Sequence, residues 1–214
     1  MVLQKFFPKT LVKISSPING EISVVEQWGR RKIVVSGLTQ SGPLAEEVWE
    51  RGIKLLLQRR AGSILILGLG GGSLVKLLNK YFPQAKIIGV EIDPLMVELG
   101  QQYLELLKAK NLKIIIDDAM NFVKKTNEKF DLIFFDLYIG DKIPKNYQTI
   151  IFLNFLKKLL RENGMIVFNC LYFKNHISEA KVFLDKLREI FDDVNCKKVL
   201  TNLLIFVREN GRKL

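Results

Sequence analysis

The 214-residue chain has two cysteines and a single histidine, and that scarcity removes several chemistries at once. Cys170 and Cys196 have neither C-x-x-C spacing nor the histidines that would complete a zinc site, and they do not make a disulfide framework. The expectation is two reduced, mostly buried thiols and no metal. Long apolar runs are missing too. No stretch approaches the roughly 18 residues that a membrane-spanning helix needs, and MVLQKFFPKT at the start is interrupted by Lys5, Pro8 and Lys9 before a signal-peptide core develops. The sequence reads as cytoplasmic, with no membrane partner. It also lacks internal repeats and low-complexity linkers.

Acidic residues are the minority charge, 22 Asp and Glu against 33 Lys and Arg, for a net charge of +11. Such a balance raises nucleic acid as a partner. The lysines, however, fall in separated pairs, such as Lys124-Lys125, Lys157-Lys158 and Lys197-Lys198, mostly on polar helix faces or beside turns. No basic segment is interleaved with aromatics as in an RNA-binding motif. A solvated face accounts for the charge, and nucleic acid is not the favoured partner.

What is present is 48% apolar content, ample for a packed core and arranged in two successive patterns. Short alternating or β-branched runs at Thr10 to Ile14, Glu21 to Gln27 and Arg31 to Ser36 predict an N-terminal β-strand appendage over residues 1–41, with a hairpin around Trp28-Gly29-Arg30. A helix over Leu44 to Arg59 opens the main domain, residues 42–214. Apolar runs at Ile64 to Leu67, Lys86 to Val90, Leu112 to Ile116, Leu132 to Phe135 and Met165 to Phe168 suit strands buried on both faces of a parallel sheet. Helices are predicted between and after them at Leu74 to Phe82, Leu95 to Leu107, Ala119 to Lys125, Tyr147 to Leu160 and Ile177 to Phe191. This order predicts an α/β, Rossmann-like, doubly wound fold. Asn195 to Leu200 and Leu203 to Arg208 are separated only by Thr201-Asn202, too short for a parallel crossover. They are predicted as an antiparallel hairpin at one edge, the layout of class I methyltransferase-like folds.

Ligands of such sheets bind beyond the carboxyl ends of the strands. SILILGLGGGSLVKLL, Ser63 to Leu78, places Gly68, Gly70, Gly71 and Gly72 at the first of these ends. Glycines there allow close backbone approach, which a nucleotide phosphate, a sulfonium cofactor and plain packing all use. As a dinucleotide fingerprint the loop fails at Ser73, where a third glycine belongs. Glu91 ends the next strand and can accept hydrogen bonds from both hydroxyls of a ribose, which NAD and S-adenosylmethionine share. Asp93, before Pro94, reads as a helix N-cap. At the third strand end, Asp118 can accept from an adenine amino group while the Ala119 backbone N–H faces the ring edge. An acid there is habitual in adenosylmethionine sites, and capping the helix at Ala119 is a compatible role. Asp136, after FDLIFF, lies opposite the glycine loop, where it is a candidate to hold or deprotonate an acceptor amine, or else to cap a loop. Tyr138, Asp141, Pro144 and Tyr147 follow in a loop long enough to cover the acceptor.

In their order, VSGLTQSGPLAEEVWE, ILILGLGGGS, VEIDP, IDDA and FDLIFFDLYIGDKIP resemble the spermidine synthase family, a branch of the class I adenosylmethionine-dependent fold with a β-stranded N-terminal appendage. The resemblance covers about Glu21 to Asn169. It implies a donor site at Gly68 to Gly72, Glu91 and Asp118, an acid at Asp136 near the reacting centre, and Gln40 and Glu46 lining the pocket from the N-terminal side. It also implies a homodimer. The chain departs from the family's aminopropyl-transferring members at several positions. Their loop reads G-G-G-D-G-G, with the acid recognising the amine of decarboxylated S-adenosylmethionine, where this chain has Gly71. They carry a second acid three residues after the strand-four Asp and then proline, where this chain has Ile139 and Gly140. Trp49-Glu50-Arg51 takes the place of their Tyr-His-Glu or Tyr-Gln-Glu.

A diamine acceptor needs paired acids, and only Asp136 is clearly retained, with Asp141 as a substitute. The expected function is therefore an S-adenosylmethionine-dependent transferase, methyl transfer to a small-molecule acceptor being favoured. The alternatives are a polyamine aminopropyltransferase using decarboxylated S-adenosylmethionine, a basic RNA methyltransferase, and a binding protein without turnover. Against the RNA reading, the fourth strand end lacks the Asn/Asp-Pro-Pro-aromatic motif for flipped base amines.

Overall fold

The computed structural model describes residues 7–208. Two sheets organise them. The first is an antiparallel meander of β1 (Lys9–Ser16), β2 (Gly20–Gln27), β3 (Arg30–Val35) and β4 (Leu38–Ser41). Two-residue turns at Trp28-Gly29 and Ser36-Gly37 join its last three strands, with all four of these residues at positive φ, between 50° and 79°. That geometry matches the right-handed twist of hairpin strands. β4 is absent from the sequence reading, which lets the third strand run on into Ser36.

The second sheet contains seven strands in the order β10-β11-β9-β8-β5-β6-β7: β5 (Ser63–Leu67), β6 (Lys86–Glu91), β7 (Leu112–Ile116), β8 (Phe130–Phe135), β9 (Leu160–Leu171), β10 (Asp193–Val199) and β11 (Asn202–Arg208). Strands β5 to β9 are mutually parallel, and β11 lies antiparallel between β9 and β10. This is a mostly parallel α/β sheet of the class I methyltransferase type, and the terminal hairpin pairs as its two-residue connection requires.

Helices cover both faces. α1 (Pro43–Lys54), α2 (Ser73–Tyr81) and α3 (Pro94–Tyr103) share one cluster with Ile64, Ile66, Leu132 and Phe134. On the opposite face α4 (Ala119–Lys125), α5 (Ile150–Leu159) and α6 (His176–Ile190) enclose Leu65, Leu67, Phe135 and Phe168. Successive strand residues face opposite layers, so each of these runs is apolar throughout. β7 is the exception. As an edge strand it is only partly buried, and Ile116 is 49% exposed.

Several helix boundaries also differ from the sequence reading. α1 gives way to turns after Lys54. The predicted 95–107 helix ends at Tyr103 and resumes as a 3-10 turn at Leu106–Lys108, after Glu105 at φ 63°. The predicted 147–160 helix begins only at Ile150, where Thr149 supplies the N-cap. Cys196 is exposed on the edge strand, contrary to the expectation of buried thiols, whereas Cys170 is buried.

The small sheet rests on α3, with Ile22, Val24, Ile33 and Val35 packed against Met96 and Leu99. A polar anchor completes the joint. Asp93 caps α3 by accepting from Leu95 N–H and also accepts from the Ser16 hydroxyl and, at 2.7 Å, from Asn19 Nδ2. The small sheet is thereby held over the carboxyl ends of β5 and β6. No helix among the described residues is long and apolar enough to cross a membrane.

Candidate active site

The glycine loop connects β5 to α2, and its donors are all in use. Gly68 and Leu69 N–H both go to Val90 O, Gly70 N–H to Glu91 Oε2 at 2.7 Å, Gly71 N–H to Ser41 Oγ at 2.8 Å, and Gly72 N–H to Leu69 O. A phosphate cradle requires such N–H groups to be free. Gly68 sits at φ 87°, and a Cβ there would lie 2.2 Å from the Asp136 carbonyl oxygen, so only glycine lets the ends of β5 and β8 come this close.

Glu91 is 8% exposed. One carboxylate oxygen receives Gly70 N–H and the other Asp93 N–H, at 2.7 and 3.0 Å. Each oxygen keeps lone-pair capacity, and Glu91 lines the central cavity. The remaining acceptor capacity therefore fits a ribose diol. Burial pushes the Glu91 pKa above the ordinary carboxylate value, opposed by hydrogen bonds from the Asp93, Gly70 and Ile92 backbone.

The same cavity is lined by Gln40, Gly68, Gly70, Asp117, Ala119 and Asp136, among others. Asp118 lies just behind the lining. Its Oδ1 caps α4 through Met120 and Asn121 N–H, and its Oδ2 accepts from the Tyr147 hydroxyl at 2.6 Å. Tyr147 is thus held over the cavity from the loop after β8. Gln40 forms a second bridge, donating from Nε2 to Gly140 O at 2.8 Å. The cavity measures about 60 Å³, below the ~300–1,000 Å³ of small-molecule sites, and Gln40 and Tyr147, which carry these two bridges, both line it. Glu46 lies outside the lining, paired with Arg30 and Lys76.

Gly71 and Gly72 turn away from the cavity. A Cβ at Gly71 would lie 2.6 Å from Ile33 Cδ1 and 2.9 Å from Leu104 Cδ1, and one at Gly72 would meet Leu106. An acid at residue 71 would enter hydrocarbon. Gly71→Asp is expected to lower stability by about 2–4 kcal/mol, from overpacking together with burial of an unpaired charge, as urea denaturation would measure.

Asp136 lies where the central cavity meets a second one of about 280 Å³. Its Oδ2 accepts from Trp49 Nε1–H at 3.0 Å and its Oδ1 from Asn169 Nδ2 at 2.9 Å. Asn169 is set in turn by Asn202, which donates to Asn169 Oδ1 at 2.8 Å. These donors are neutral, so burial dominates and raises the Asp136 pKa to about 6. Trp49 reaches this point because α1 presses onto β11, where a Cβ on Gly52 would lie 2.5 Å from Leu204 Cδ1. The edge of Trp49 also meets Phe134, with ring centroids 5.4 Å apart.

Tyr138 is pinned to β9, its hydroxyl donating to Asn169 O and accepting from Leu171 N–H. Asp141 lines a different cavity and lies 3.4 Å from His176 Nε2. No cluster of potential metal ligands occurs among the described residues. Burial and nearby Asp136 push the Cys170 thiol well up, which keeps it protonated and inert. Trp49, Asn169 and Asn202 escaped the sequence reading as site residues. Asn169 carried the same signal as Glu91, a polar residue ending a buried strand, but both asparagines gain meaning only through their partners.

The profile of the spermine/spermidine synthase domain matches residues 52–209. Among curated proteins, the eEF1A lysine and N-terminal methyltransferase homolog of Drosophila melanogaster is 34% identical over 115 residues, 50% of this chain and 17% of that protein. The polyamine aminopropyltransferase of Vibrio vulnificus is 33% identical over 118 residues, 54% of this chain and 40% of that enzyme. The chain spans less than half the length of either. A spermidine synthase in complex with the transition-state analogue AdoDATO superposes with a TM-score of 0.81 at 18% identity, covering 94% of this chain and 74% of the other. Human methyltransferase-like protein 13 in complex with SAH gives a TM-score of 0.62 at 24% identity, covering 79% and 81%. These two structural likenesses are likenesses of fold, whereas the profile takes in every strand of the large sheet together with the Glu91 and Asp136 strand ends: the chain belongs to the spermine/spermidine synthase family.

Proposed function

We propose that the chain is an S-adenosylmethionine-dependent transferase that passes a methyl group to a small-molecule nucleophile, with residues 1–41 forming an appendage over a transferase domain at 42–214. The observation that carries the donor class is the pairing of a glycine loop without free N–H groups with a ribose-competent acid beside it. The loop has little to offer a pyrophosphate, whereas Glu91 retains acceptors for a nucleoside. Relatives named as a methyltransferase and an aminopropyltransferase both support a sulfonium donor. When bound, that donor supplies a carbon activated by a sulfonium, which leaves as a neutral thioether.

Glu91 would hold the ribose, the Asp117 to Ala119 segment the adenine, and the backbone of Gly68 and Gly70 the face of the donor. Asp136 would orient the acceptor and take its proton, since a base acts only within hydrogen-bond reach of the proton it removes. Gly71 favours methyl over aminopropyl transfer: the position offers no carboxylate to the donor's amine, and a Cβ there would press on the Ile33 and Leu104 side chains.

Calorimetry with S-adenosylmethionine, its decarboxylated form and NADH tests the proposal. S-adenosylmethionine is expected to bind at least about tenfold more tightly than the decarboxylated donor, a difference of ~1.4 kcal/mol, with NADH silent. Preference for the decarboxylated donor would turn the reading to aminopropyl transfer. NADH binding, with neither sulfonium bound, would overturn it.

A further inference from the structure

The second cavity at Asp136 bears on what the acceptor is. Among the described residues, Asp136 is its single carboxylate. The rest of its lining is apolar, with Leu38, Leu44, Val48, Leu171 and Phe173, or consists of neutral groups such as Thr39 and Asn202. Leu44, at 46% exposed, brings this apolar surface out to solvent. Asp141 and Glu179, acids of the kind a second ammonium needs, line a separate cavity of about 510 Å³. Tyr138 and Leu171 line both cavities and separate them. That partition is fixed, because the Tyr138 hydroxyl is bonded to Asn169 O at 3.0 Å and to Leu171 N–H at 2.8 Å. Beyond it, His176 holds the two acids, with its ring nitrogens 3.4 Å from Asp141 and 3.3 Å from Glu179.

We infer that this pocket takes an acceptor bearing one ammonium group on an uncharged aliphatic chain, and that it discriminates against short diamines. The inference rests on the transferase reading for the word acceptor, but the pocket chemistry stands on its own. One ammonium finds one carboxylate, and the chain behind it finds hydrocarbon. A second ammonium on a short diamine would meet leucines, a phenylalanine and neutral hydroxyl and amide groups but no second carboxylate, and an ammonium drawn from water without a counter-charge is unfavourable. A free alkylamine and a lysine side chain share this chemistry.

The test is titration with n-butylamine, 1,4-diaminobutane, n-butanol and an acetylated lysine amide, each with and without S-adenosylhomocysteine. Binding is read from the indole N–H resonance of Trp49, which donates to Asp136, with exposed Trp28 as the control. Butylamine is expected to bind at least about tenfold more tightly than diaminobutane and to move the Trp49 signal. Asp136→Asn should remove its advantage over butanol, and Leu44→Asp should raise diamine affinity at least about tenfold by supplying the missing partner. Comparable affinity for the lysine amide would identify a side chain as the source, and binding of butylamine alone a free amine. Equal or tighter binding of diaminobutane to the wild type overturns the inference, as does silence from all the amines. Absence of S-adenosylhomocysteine binding with the amine preference intact would instead overturn the transferase reading and leave the pocket assignment standing.

Discussion

Glu91→Ala is expected to weaken donor binding by at least about a hundredfold. A ribose gives two hydrogen bonds to a charged acceptor, each contributing roughly 1.5–3 kcal/mol, and about 1.4 kcal/mol is a factor of ten. The substitution should also lower stability, because Gly70 and Asp93 N–H, which both end on this carboxylate, are left without it. Each buried donor so stranded costs about 1–3 kcal/mol unless water replaces the oxygen. Glu91→Gln separates the two effects. It keeps the volume and one acceptor oxygen but turns an NH₂ toward one of the two backbone donors. Calorimetry with S-adenosylhomocysteine should show a substantial loss for Gln as well. Wild-type affinity in that variant would remove Glu91 from the donor site.

Asp136→Asn is expected to reduce turnover by about 10²–10⁴-fold, the usual contribution of a positioned acid–base group. Shape is nearly conserved, but the amide cannot take a proton. Its NH₂ must also face Trp49 Nε1–H or Asn169 Nδ2, both of which donate to the carboxylate now. In the wild type, activity should fall with acid through about pH 6, where Asp136 takes up its proton. The stability consequence has the opposite direction. With the native pKa near 6 and the ordinary value at 3.8, the folded state holds a proton that the unfolded chain has released between these values. The stabilising protonation is complete below about pH 4 and is lost as pH rises through about 6. Urea midpoints of the wild type relative to Asp136→Asn should therefore decline across that window. A flat difference, or a pH–rate profile without a limb near 6, would mean that Asp136 is not the group that titrates.

The fold was largely legible because a parallel sheet covered on both sides writes itself into the chain as apolar runs separated by helical periodicity. Leu112 to Ile116 and Ala119 to Lys125 were placed to the residue. The terminal hairpin followed from a two-residue connection alone. Failures occurred where sequence pattern and tertiary demand part. β4 is four residues long and carries Gln40 and Ser41 rather than an apolar run, so its register is set by β3 and by the glycine loop beneath it. Glu105 breaks a helix whose apolar spacing continues past it.

The chain alone determined the positions of the acids. Glu91, Asp118 and Asp136 each end a strand or open a helix, and strand ends of an open α/β sheet converge on one edge. Only the tertiary structure decided what surrounds those acids. Whether loop N–H groups are free depends on Val90, Glu91 and Ser41, residues distant in sequence, and here those of Gly68 to Gly72 are all taken. Gly71 changed from a missing anchor into a packing site because Ile33, from the small sheet, occupies its Cβ direction. Asp136 acquired its neutral partners from α1 and β9, with Asn202 of β11 behind them, and Tyr138 set Asp141 apart from it by pinning itself to the β9 backbone. The alternation and punctuation that specify elements act over a few residues. Hydrogen-bond satisfaction and steric exclusion act through space, between segments brought together only by folding.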